Sequence, residues 1–591
     1  MKLKDWGSAW LTAGLAGLGA CAWGVLAQPV RQHTVDPVVT HQVWENFGAS
    51  DAWMCEPVGY YWGLARKPLL GNLLFAPTNG IALSAWRFNL GGGRDSGITH
   101  TWRSVDTFEV AAGRYDWTRC PGQRWFLANA KAWGVPTFIM FANSPPRRLT
   151  RNGHTYATDG LGTSNLREGA EAEYARYLVD ILRHFRDDAP AAERVSFDYI
   201  SPVNEPQWEW NGTSQEGTRA SNADLVRIYL ALQAELQRQG VATRILGVES
   251  GSIPDMHEVT GNNRTLQGKY GGLYGDYIWR FVTDPDHTGV AAALGGRIGY
   301  HSYWSDDPAT QLLPDRRALR QEMDALAAGW KLWMTEYCVL GADGPGRDLG
   351  INTALRVARV IQLDLTVAGV SAWQWWTAIS HEDYKDGLIY TDWKAAGDNQ
   401  TYYSSKTLWA LGQFSRFIRP GMKRCGFDGE GTDVNGLLGS AWRDDRTGEI
   451  VVVYVNMASA DAPVSVAFKS RPAPFAPVVM RPYVTATNAL DSLRAWPARL
   501  AASTFPVPAR SVVTLRYQSR PALGASLDPA AGLCVLRWPA WADGYQLTTR
   551  TNLAASADWT AVDKLPLRTN DVFEVRVPLT EGGRQFRLEL P

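Results

Sequence analysis

Glu205 stands where the sequence changes from a buried segment to a loop. Residues 197–203 mix aromatic and β-branched side chains in a short apolar run, which predicts a buried strand. Pro202 and Pro206 cannot donate backbone hydrogen bonds to a sheet, so we expect Asn204 and Glu205 to begin the loop after this strand. A carboxyl in this place could transfer a proton in catalysis, although it could equally pair with an arginine at the sheet end.

A second glutamate, Glu336, ends another apolar run, and polar or aromatic residues recur at the ends of the other runs. These residues are Arg87, Asn143, Glu249, His301, Tyr303, Trp373, Trp375 and Trp376. A core strand has no structural reason to end repeatedly in such side chains. Glu205 and Glu336 follow the fourth and seventh predicted strands, which lie across the mouth of a barrel from each other. We therefore predict one site, with these two glutamates as its reactive pair.

Short apolar runs alternate with amphipathic stretches from residue 43 onward, which is the pattern of strand and helix units around a parallel sheet. The eight predicted strands cover residues 46–50, 82–89, 137–142, 197–203, 245–250, 297–303, 332–337 and 369–376. The stretches 168–186, 222–239, 317–329 and 352–368 have apolar residues at helical spacing. Eight such units predict an α/β fold, the (β/α)₈ TIM barrel, whose reactive residues lie at the carboxyl ends of the strands.

The spacing of the apolar residues changes after the predicted barrel. Residues 404–417 form a last amphipathic helix, and residues 431–517 then alternate with a period of two. This alternation predicts an attached side β-sandwich. Short alternating runs in residues 522–591 predict a small C-terminal all-β module, whose role these residues do not indicate.

Charge and composition exclude several classes of protein. The 591-residue chain has 59 basic and 59 acidic residues and is 45% apolar, as in a globular protein of two or three domains. No basic field exists that would hold nucleic acid or an anionic membrane. The 27 tryptophans and 22 tyrosines either fill large cores or stack on sugar rings, and the second interpretation favours a carbohydrate ligand.

Residues 1–27 have the features of a targeting segment, which we exclude from the fold. Two lysines precede an apolar run at 9–26, and residues 25–27 provide a small-residue cleavage site. The run is too short and too rich in glycine for a membrane span. Residues 18–21 also resemble a lipoprotein box with Cys21 as the acylated residue. We expect export to the periplasm or the cell exterior, with a signal peptide and a lipid anchor as open alternatives.

The sequence implies no cofactor. The five cysteines outside the leader lack the spacing of a metal motif or a disulfide framework, although a bridge between Cys55 and Cys120 stays open. His381 lacks the second histidine of a zinc-binding helix, and the Gly-x-Ser-x-Gly elbow of a serine esterase does not occur. Hydrolysis by two carboxyls requires only water, so we expect neither a metal nor a cofactor.

Three segments carry a resemblance to a known family. Residues 203–206 read VNEP, residues 333–337 read WMTEY, and residues 409–421 read WALGQFSRFIRPG. Together they resemble glycoside hydrolase family 30 of clan A, over residues 31–518, and the third segment is the most particular to this family. The resemblance implies that a segment before the first barrel strand contributes to the side β-sandwich. The predicted division is a signal peptide at 1–27, this N-terminal strand at 28–43, the barrel at 44–403, the last helix and sandwich at 404–518 and the C-terminal module at 519–591.

The resemblance also implies roles for the two glutamates and their neighbour. Glu205 resembles the general acid/base, and Glu336 resembles the nucleophile of a retaining glycosidase. Such an enzyme needs one protonated and one ionised carboxyl about 5 to 5.5 Å apart, with pKa values driven apart by their surroundings. Asn204 is then expected to bind the 2-hydroxyl of the sugar.

Further residues are expected to support this pair or to contact the substrate. Arg87 and Tyr303 are expected to keep Glu336 ionised and oriented, and Trp375 is expected to form the floor of a sugar subsite. The remaining predicted substrate-binding residues are Asn143, Trp208, His301 and Trp373.

Residues 47–53 and 207–217 resemble the branch of the family that includes endo-β-1,6-galactanases. The resemblance therefore implies an exported retaining β-glycosidase that acts on a plant-type polysaccharide, and first of all on β-1,6-galactan. A xylanase or a β-1,6-glucanase of the same family is an alternative. A barrel that only binds glycans is an alternative of another class, which predicts loss of one carboxyl, but both are present.

Overall fold

The computed structural model describes residues 28–287, 289–341, 344–392, 399–469, 475–540, 542, 544–551, 558–569, 572–579 and 583–589. The predicted leader at 1–27, with Cys21, lies outside these residues. No helix within the described part of the chain is both long and apolar enough to cross a membrane. Cys55 and Cys120 are both free thiols, which answers the question of a bridge between them.

Eight parallel strand positions form the central barrel, which confirms the predicted fold. They are Asn46–Ser50, Ala85–Leu90, Thr137–Ala142, Tyr199–Ser201, Arg244–Ile245 with Val248–Ser250, Arg297–His301, Lys331–Glu336 and Ala372–Trp375, here called barrel strands 1 to 8. Strands that follow each other in the chain pair in parallel, and strand 8 pairs with strand 1. The observed strands are mostly shorter than the predicted ones because their ends turn into loops that carry the polar residues.

Barrel strand 5 consists of two short pieces that together close the barrel. The first piece, Arg244–Ile245, pairs with strand 4, and the second, Val248–Ser250, pairs with strand 6. Backbone hydrogen bonds continue across the break, from Leu246 to Ile200 at 2.8 Å and from Gly299 to Gly247 at 2.6 Å.

Helices surround the barrel and pack on its outer face. They are Cys55–Tyr61, Lys67–Phe75, Pro121–Ala132, Glu171–Arg183, Asn222–Arg238, Pro254–His257, Gly261–Tyr270, Val290–Leu294, Leu312–Leu326, Ile351–Leu363 and Lys406–Ser415. Local sequence sets several helix starts: the Ser221 side chain accepts from the Asp224 backbone N–H in a capping box before Asn222–Arg238, which satisfies an otherwise unpaired donor. The helix predicted at 317–329 instead covers Leu312–Leu326.

The side β-sandwich is a strongly curled ten-stranded sheet. Its strands are Arg31–Val43, Lys423–Phe427, Leu437–Arg443, Ile450–Asn456, Ala462–Phe468, Val479–Thr485, Arg494–Ala495, Arg499–Leu500, Phe505–Val507 and Ser511–Gln518. The N-terminal strand Arg31–Val43 lies inside the sheet, antiparallel to Lys423–Phe427 and parallel to Ala462–Phe468. One buried apolar cluster joins Val464 to Leu515, on distant strands, so the sheet folds back over its own core.

The helix Lys406–Ser415 connects the barrel to the sandwich. On one side Gln413 donates to the Thr485 hydroxyl at 2.9 Å, and on the other Ser415 donates to the backbone carbonyl of Ile81 at 2.5 Å. Arg419, just beyond the helix, donates to the carbonyl of Ala82. The distinctive segment at 409–421 therefore holds the two bodies together.

The C-terminal module is built of two small sheets around its own core. One sheet contains Gly524–Asp528, Leu533–Pro539, Val572–Pro578 and Leu567–Thr569, and the other contains Thr560–Ala561, Gln546–Arg550 and Gln585–Glu589. Leu536, Trp538 and Leu547 are buried between them. The region is all-β, as predicted.

Candidate active site

Arg87 joins two carboxylates at the carboxyl end of the barrel. It extends from barrel strand 2, is fully buried, and donates to Glu336 at 2.6 Å and to Glu249 at 2.7 Å. Glu336 ends strand 7, and Glu249 lies in strand 5. Such charge-assisted hydrogen bonds are strong when water is excluded, so Arg87 fixes both carboxylates and stabilises their negative charge.

His301, at the end of barrel strand 6, contacts carboxylates with both of its ring nitrogens. Nδ1 lies 2.8 Å from Oε1 of Glu205, and Nε2 lies 3.1 Å from Oε2 of Glu249. Burial lowers the pKa of His301, but Glu336 and the hydrogen bonds to Glu205 and Glu249 outweigh it and raise the pKa to about 9. The ring is therefore an imidazolium at neutral pH, with an N–H toward each partner.

Glu205 and Glu336 have different surroundings. Glu336 receives hydrogen bonds from Arg87 and from the Tyr303 hydroxyl, the latter at 2.9 Å, and these two donors fix its orientation. Burial is the largest influence on Glu205 and raises its pKa, against the opposing hydrogen bond from His301. Glu205 is therefore the carboxyl whose surroundings favour the neutral acid.

The charges of this buried cluster balance when Glu205 is protonated. Arg87 and the His301 imidazolium carry two positive charges, and Glu249 and Glu336 carry two negative charges. Burial opposes ionisation of Glu249, but Arg87 and His301 lower its pKa below the usual value. A buried site favours electrical neutrality, and the neutral arrangement of this cluster is the one with a proton on Glu205.

Three groups in this cluster are spaced as metal ligands would be. One atom each of Glu205, His301 and Glu336 lie within 4.8 Å of one another. An imidazolium has no free lone pair to offer a metal, and His301 is protonated at neutral pH with a carboxylate at each nitrogen. The donor set therefore fits a proton-transfer cluster better than a metal centre.

The separation of the two carboxyls suits attack at one atom of a bond and proton transfer to the other atom of the same bond. An oxygen of Glu205 and an oxygen of Glu336 are at most 4.8 Å apart. Carboxyl groups about 5 to 5.5 Å apart are typical of retaining glycosidases, whereas inverting enzymes need about 6.5 to 9.5 Å to admit a water molecule.

A cleft opens above these two glutamates and is lined largely by aromatic side chains. Asn204, Glu205, Tyr303 and Glu336 border it. Asn204 is 3% exposed, and its Oδ1 has no hydrogen-bond partner among the described residues. This oxygen can accept a hydrogen bond from a ligand hydroxyl. The aromatic lining consists of Trp53, Trp102, Trp210, Trp304, Trp376 and Tyr384 in addition to Tyr303.

Trp373 and Trp375 do not border the cleft, which corrects their predicted role in substrate binding. Ala372 faces the barrel interior, where it packs with Ala85 of strand 2. Side chains alternate along a strand, so Trp373 and Trp375 point outward, where both are fully buried. Trp376 is on the inner side and borders the cleft instead.

Asn143 and Trp208 are also absent from the lining of the cleft. Asn143 is 2% exposed, and its backbone carbonyl accepts from the Thr218 hydroxyl at 3.0 Å. Trp208 packs edge-on against Trp304 with ring centroids 5.2 Å apart. Trp208 thus contacts a residue of the mouth, and the substrate contacts of Asn143 and Trp208 stay predictions. Arg87 and His301 likewise lie beneath the cleft and act on the carboxyls.

Glu249 and Trp376 stand at the ends of predicted strands, but no role is predicted for either from the sequence. Glu249 connects Arg87 to His301, and its signal was a carboxylate closing a predicted strand. Trp53 and Asp386 also border the cleft, but they lie in loops after strands 1 and 8. No periodic pattern marks such loop positions.

Backbone strain is concentrated around this site. Glu205, Trp210, Glu249 and Trp304 have positive φ angles of 46°, 51°, 59° and 58°, a region that side chains other than glycine rarely adopt. Such conformations cost about 1 to 3 kcal/mol each and persist where the surrounding structure enforces them. At Glu205 and Glu249 the carboxyl of the residue with this backbone conformation contacts His301.

Known proteins share this fold and part of this sequence. The sequence pattern of O-glycosyl hydrolase family 30 matches residues 31–390. An endo-β-1,6-galactanase of Hypocrea rufa is 25% identical over 460 residues, which are 72% of this chain and 81% of that protein.

Two solved structures extend the comparison to the tertiary fold. An exported protein of Bacteroides fragilis has a TM-score of 0.73 and 30% identity, over 82% of this chain and 100% of that one. The catalytic domain of xylanase C of Talaromyces cellulolyticus has a TM-score of 0.60 and 22% identity, over 83% of this chain and 100% of that one. The protein therefore belongs to O-glycosyl hydrolase family 30 and is a retaining glycosidase that acts on carbohydrate.

Proposed function

We propose that the protein is an exported endo-β-1,6-galactanase in which Glu205 is the general acid/base and Glu336 the nucleophile. The observation that carries the catalytic assignment is the contrast between the two carboxyls. Their oxygens lie within 4.8 Å, yet Glu336 receives Arg87 and Tyr303 as donors while burial raises the pKa of Glu205.

In the first step a Glu336 oxygen attacks the anomeric carbon, the bond to the leaving oxygen breaks, and Glu205 transfers its proton to that oxygen. The products are a glycosyl ester on Glu336 and a released alcohol. In the second step the Glu205 carboxylate takes a proton from water, the water oxygen attacks the anomeric carbon, and the ester bond to Glu336 breaks. Two displacements at one carbon retain its configuration.

His301 assists this proton transfer without leaving its place. Its Nδ1–H donates to Oε1 of Glu205, so the proton of neutral Glu205 is expected on Oε2, free to reach the leaving oxygen. After the first step the same N–H faces a carboxylate and stabilises its negative charge until water is activated.

Substrate and location rest on the relatives and the leader. The Hypocrea rufa relative is an endo-β-1,6-galactanase, and this supports β-1,6-galactan as the first polymer to test. The predicted leader at 1–27 and the relative described as an exported protein support export. Residues 519–591 are not assigned to catalysis.

Product analysis tests the substrate. The protein without residues 1–27 is incubated with β-1,6-galactan, β-1,6-glucan and glucuronoxylan, and Glu336→Ala is the matched blank. We expect β-1,6-galactooligosaccharides with the active protein and none with the blank. If oligosaccharides form only from another polymer, that polymer replaces galactan as the proposed substrate. If the protein binds these polymers but cleaves none of them, it is a glycan-binding protein.

The pH dependence tests the role of Glu205. The first step requires its protonated form, and burial raises its pKa, so the alkaline limb of the kcat/KM profile should lie above about pH 4.3, the ordinary pKa of a glutamate side chain. Glu205→Gln should reduce the rate on galactan about 10²- to 10⁴-fold. The same substitution should leave the rate of the first step unchanged for a dinitrophenyl glycoside, because its leaving group needs no proton. Full activity of Glu205→Gln on galactan would refute the assignment.

A further inference from the structure

One end of the cleft contains buried polar atoms that lack partners. These are Nε1 of Trp53, Nδ1 of His381 and Oδ1 of Asp386, none of which has a hydrogen-bond partner among the described residues. Trp53 and Asp386 are each 8% exposed, and all three residues border the cleft. A buried polar group without a partner costs free energy, so this end of the cleft is suited to a ligand that completes the hydrogen bonds.

The backbone around Asp386 is held in place. Its carbonyl accepts from the Trp375 indole N–H at 2.6 Å, and the next backbone N–H, of Gly387, donates to the Tyr390 hydroxyl at 3.1 Å. The preceding side chain, Lys385, turns away and donates to the carbonyl of Gly346 at 3.0 Å. Asp386 therefore presents its free carboxylate oxygen from a fixed position, and Lys385 does not neutralise it.

The chemistry of these atoms indicates hydroxyl groups of a neutral sugar. A carboxylate accepts hydrogen bonds, an indole N–H donates one, and a hydroxyl can satisfy both. Among the described residues, the nearby cations Arg103 and Arg347 are already paired, with Glu382 and Asp392 respectively, each at 3.4 Å. A uronic acid placed beside Asp386 would meet a carboxylate with no unpaired cation among these residues to balance it, and like charges repel.

The position in the barrel indicates which part of the substrate is bound. Asp386 and Trp53 lie in the loops after barrel strands 8 and 1, whereas Glu205 follows strand 4, on the opposite side of the ring. The leaving group must be near Glu205, which protonates it. The sugar that stays on Glu336 after the first step therefore extends toward Asp386.

We propose that Asp386 is a specificity-determining residue that, together with the Trp53 indole N–H, binds hydroxyl groups of a neutral sugar unit on the retained side of the substrate. This inference rests on the proposed catalytic roles of Glu205 and Glu336, because they define which side is retained.

The test combines a protein substitution with removal of single substrate hydroxyls. The substrates are chloronitrophenyl β-1,6-galactobioside, β-1,6-glucobioside and β-1,4-xylobioside, with monodeoxy analogues of the one cleaved best. Asp386→Asn is compared with Asp383→Asn, a matched control in the same loop whose side chain is 81% exposed. We expect Asp386→Asn to lower kcat/KM about 10- to 100-fold, as for loss of a hydrogen bond to a charged group, with the control unchanged. For the deoxy analogue that lacks the hydroxyl bound by Asp386, wild type and Asp386→Asn should have equally low kcat/KM.

The outcomes separate this inference from the proposed substrate. Cleavage of the glucobioside or xylobioside in place of the galactobioside would refute the galactanase assignment, while the same comparison on its deoxy analogues would still test Asp386. A uniform loss on every analogue, or no loss, would overturn the role of Asp386. Binding can also be measured without turnover, by calorimetry of the three free disaccharides with Glu336→Gln. Adding Asp386→Asn to this variant should weaken binding about 10- to 100-fold, the same factor as for kcat/KM. Equal binding of all three disaccharides, or binding of none, would overturn the inference.

Discussion

At the scale of single residues, the site depends on one buried network of charges. Glu249 contacts no substrate, yet it accepts from Arg87 at 2.7 Å and lies 3.1 Å from Nε2 of His301. Through these two cations it influences both Glu205 and Glu336. Removing one member of such a network leaves the other charges without compensation, which costs more than the same change at the surface.

Glu249→Gln is predicted to destabilise the protein. The substitution leaves Arg87 and His301 with one carboxylate fewer in a fully buried site, so the free energy of unfolding should fall by about 3 to 5 kcal/mol. Denaturant unfolding monitored by tryptophan fluorescence measures it.

The matched control is Glu209→Gln, because Glu209 pairs with Lys269 at a partly exposed position. A surface pair is worth about 0 to 1 kcal/mol, so this variant should unfold like the wild type. Identical unfolding of the two variants would show that the network does not depend on Glu249.

At the scale of structural elements, buried side chains tie the loops of the mouth together. Glu216, in the loop after barrel strand 4, accepts from the backbone N–H groups of Gly92 and Val105 at 3.3 and 2.5 Å. Both belong to the loop after strand 2, which also carries Trp102 of the cleft. One carboxyl thus positions two loops without touching the substrate.

The titration of Glu216 predicts a pH dependence of stability. Burial raises its pKa to about 8 in the folded protein, above the usual glutamate value of 4.3 in an unfolded chain. The folded state then holds a proton that the unfolded state has lost, so the contribution of Glu216 to stability is fully present below about pH 4 and is lost as the pH rises to about 8. Thermal unfolding midpoints between pH 5 and 9 should decline less in Glu216→Gln than in the wild type. Parallel declines would contradict the prediction.

At the scale of the whole molecule, the fold depends more on the N-terminal strand than on the C-terminal module. The strand Arg31–Val43 is hydrogen-bonded on both sides, to Lys423–Phe427 and Ala462–Phe468. Its loss would expose two strand edges and open the core of the sandwich. The C-terminal module has its own buried cluster around Trp538, and none of its described residues borders the cleft.

Two truncations are predicted to behave differently. Deletion of residues 519–591 should leave a folded protein with kcat/KM on a chloronitrophenyl glycobioside within about twofold of wild type. Deletion of residues 28–43 should give aggregated or early-melting protein, because the exposed edges promote association. Solubility, unfolding midpoint and activity are measured for both. A stable, active protein without residues 28–43 would refute the structural role of this strand.

The sequence by itself determined the barrel, its order of strands and the two glutamates at the mouth. Burial on both faces gives parallel strands their continuous apolar runs, and strand ends expose the polar residues that follow. These signals are local, so Glu205 and Glu336 could be identified without knowing what surrounds them. The segment at 409–421 likewise indicated the joint between barrel and sandwich.

Only the tertiary structure decided which side chains meet. A one-residue difference in register separates Trp375, which faces outward, from Trp376, which borders the cleft, because side chains alternate along a strand. Closure of the barrel brings Glu249 to Arg87 and His301, which are distant in the chain. Asp386 and Trp53 meet the cleft from loops whose conformation depends on packing, a long-range property that no local pattern contains.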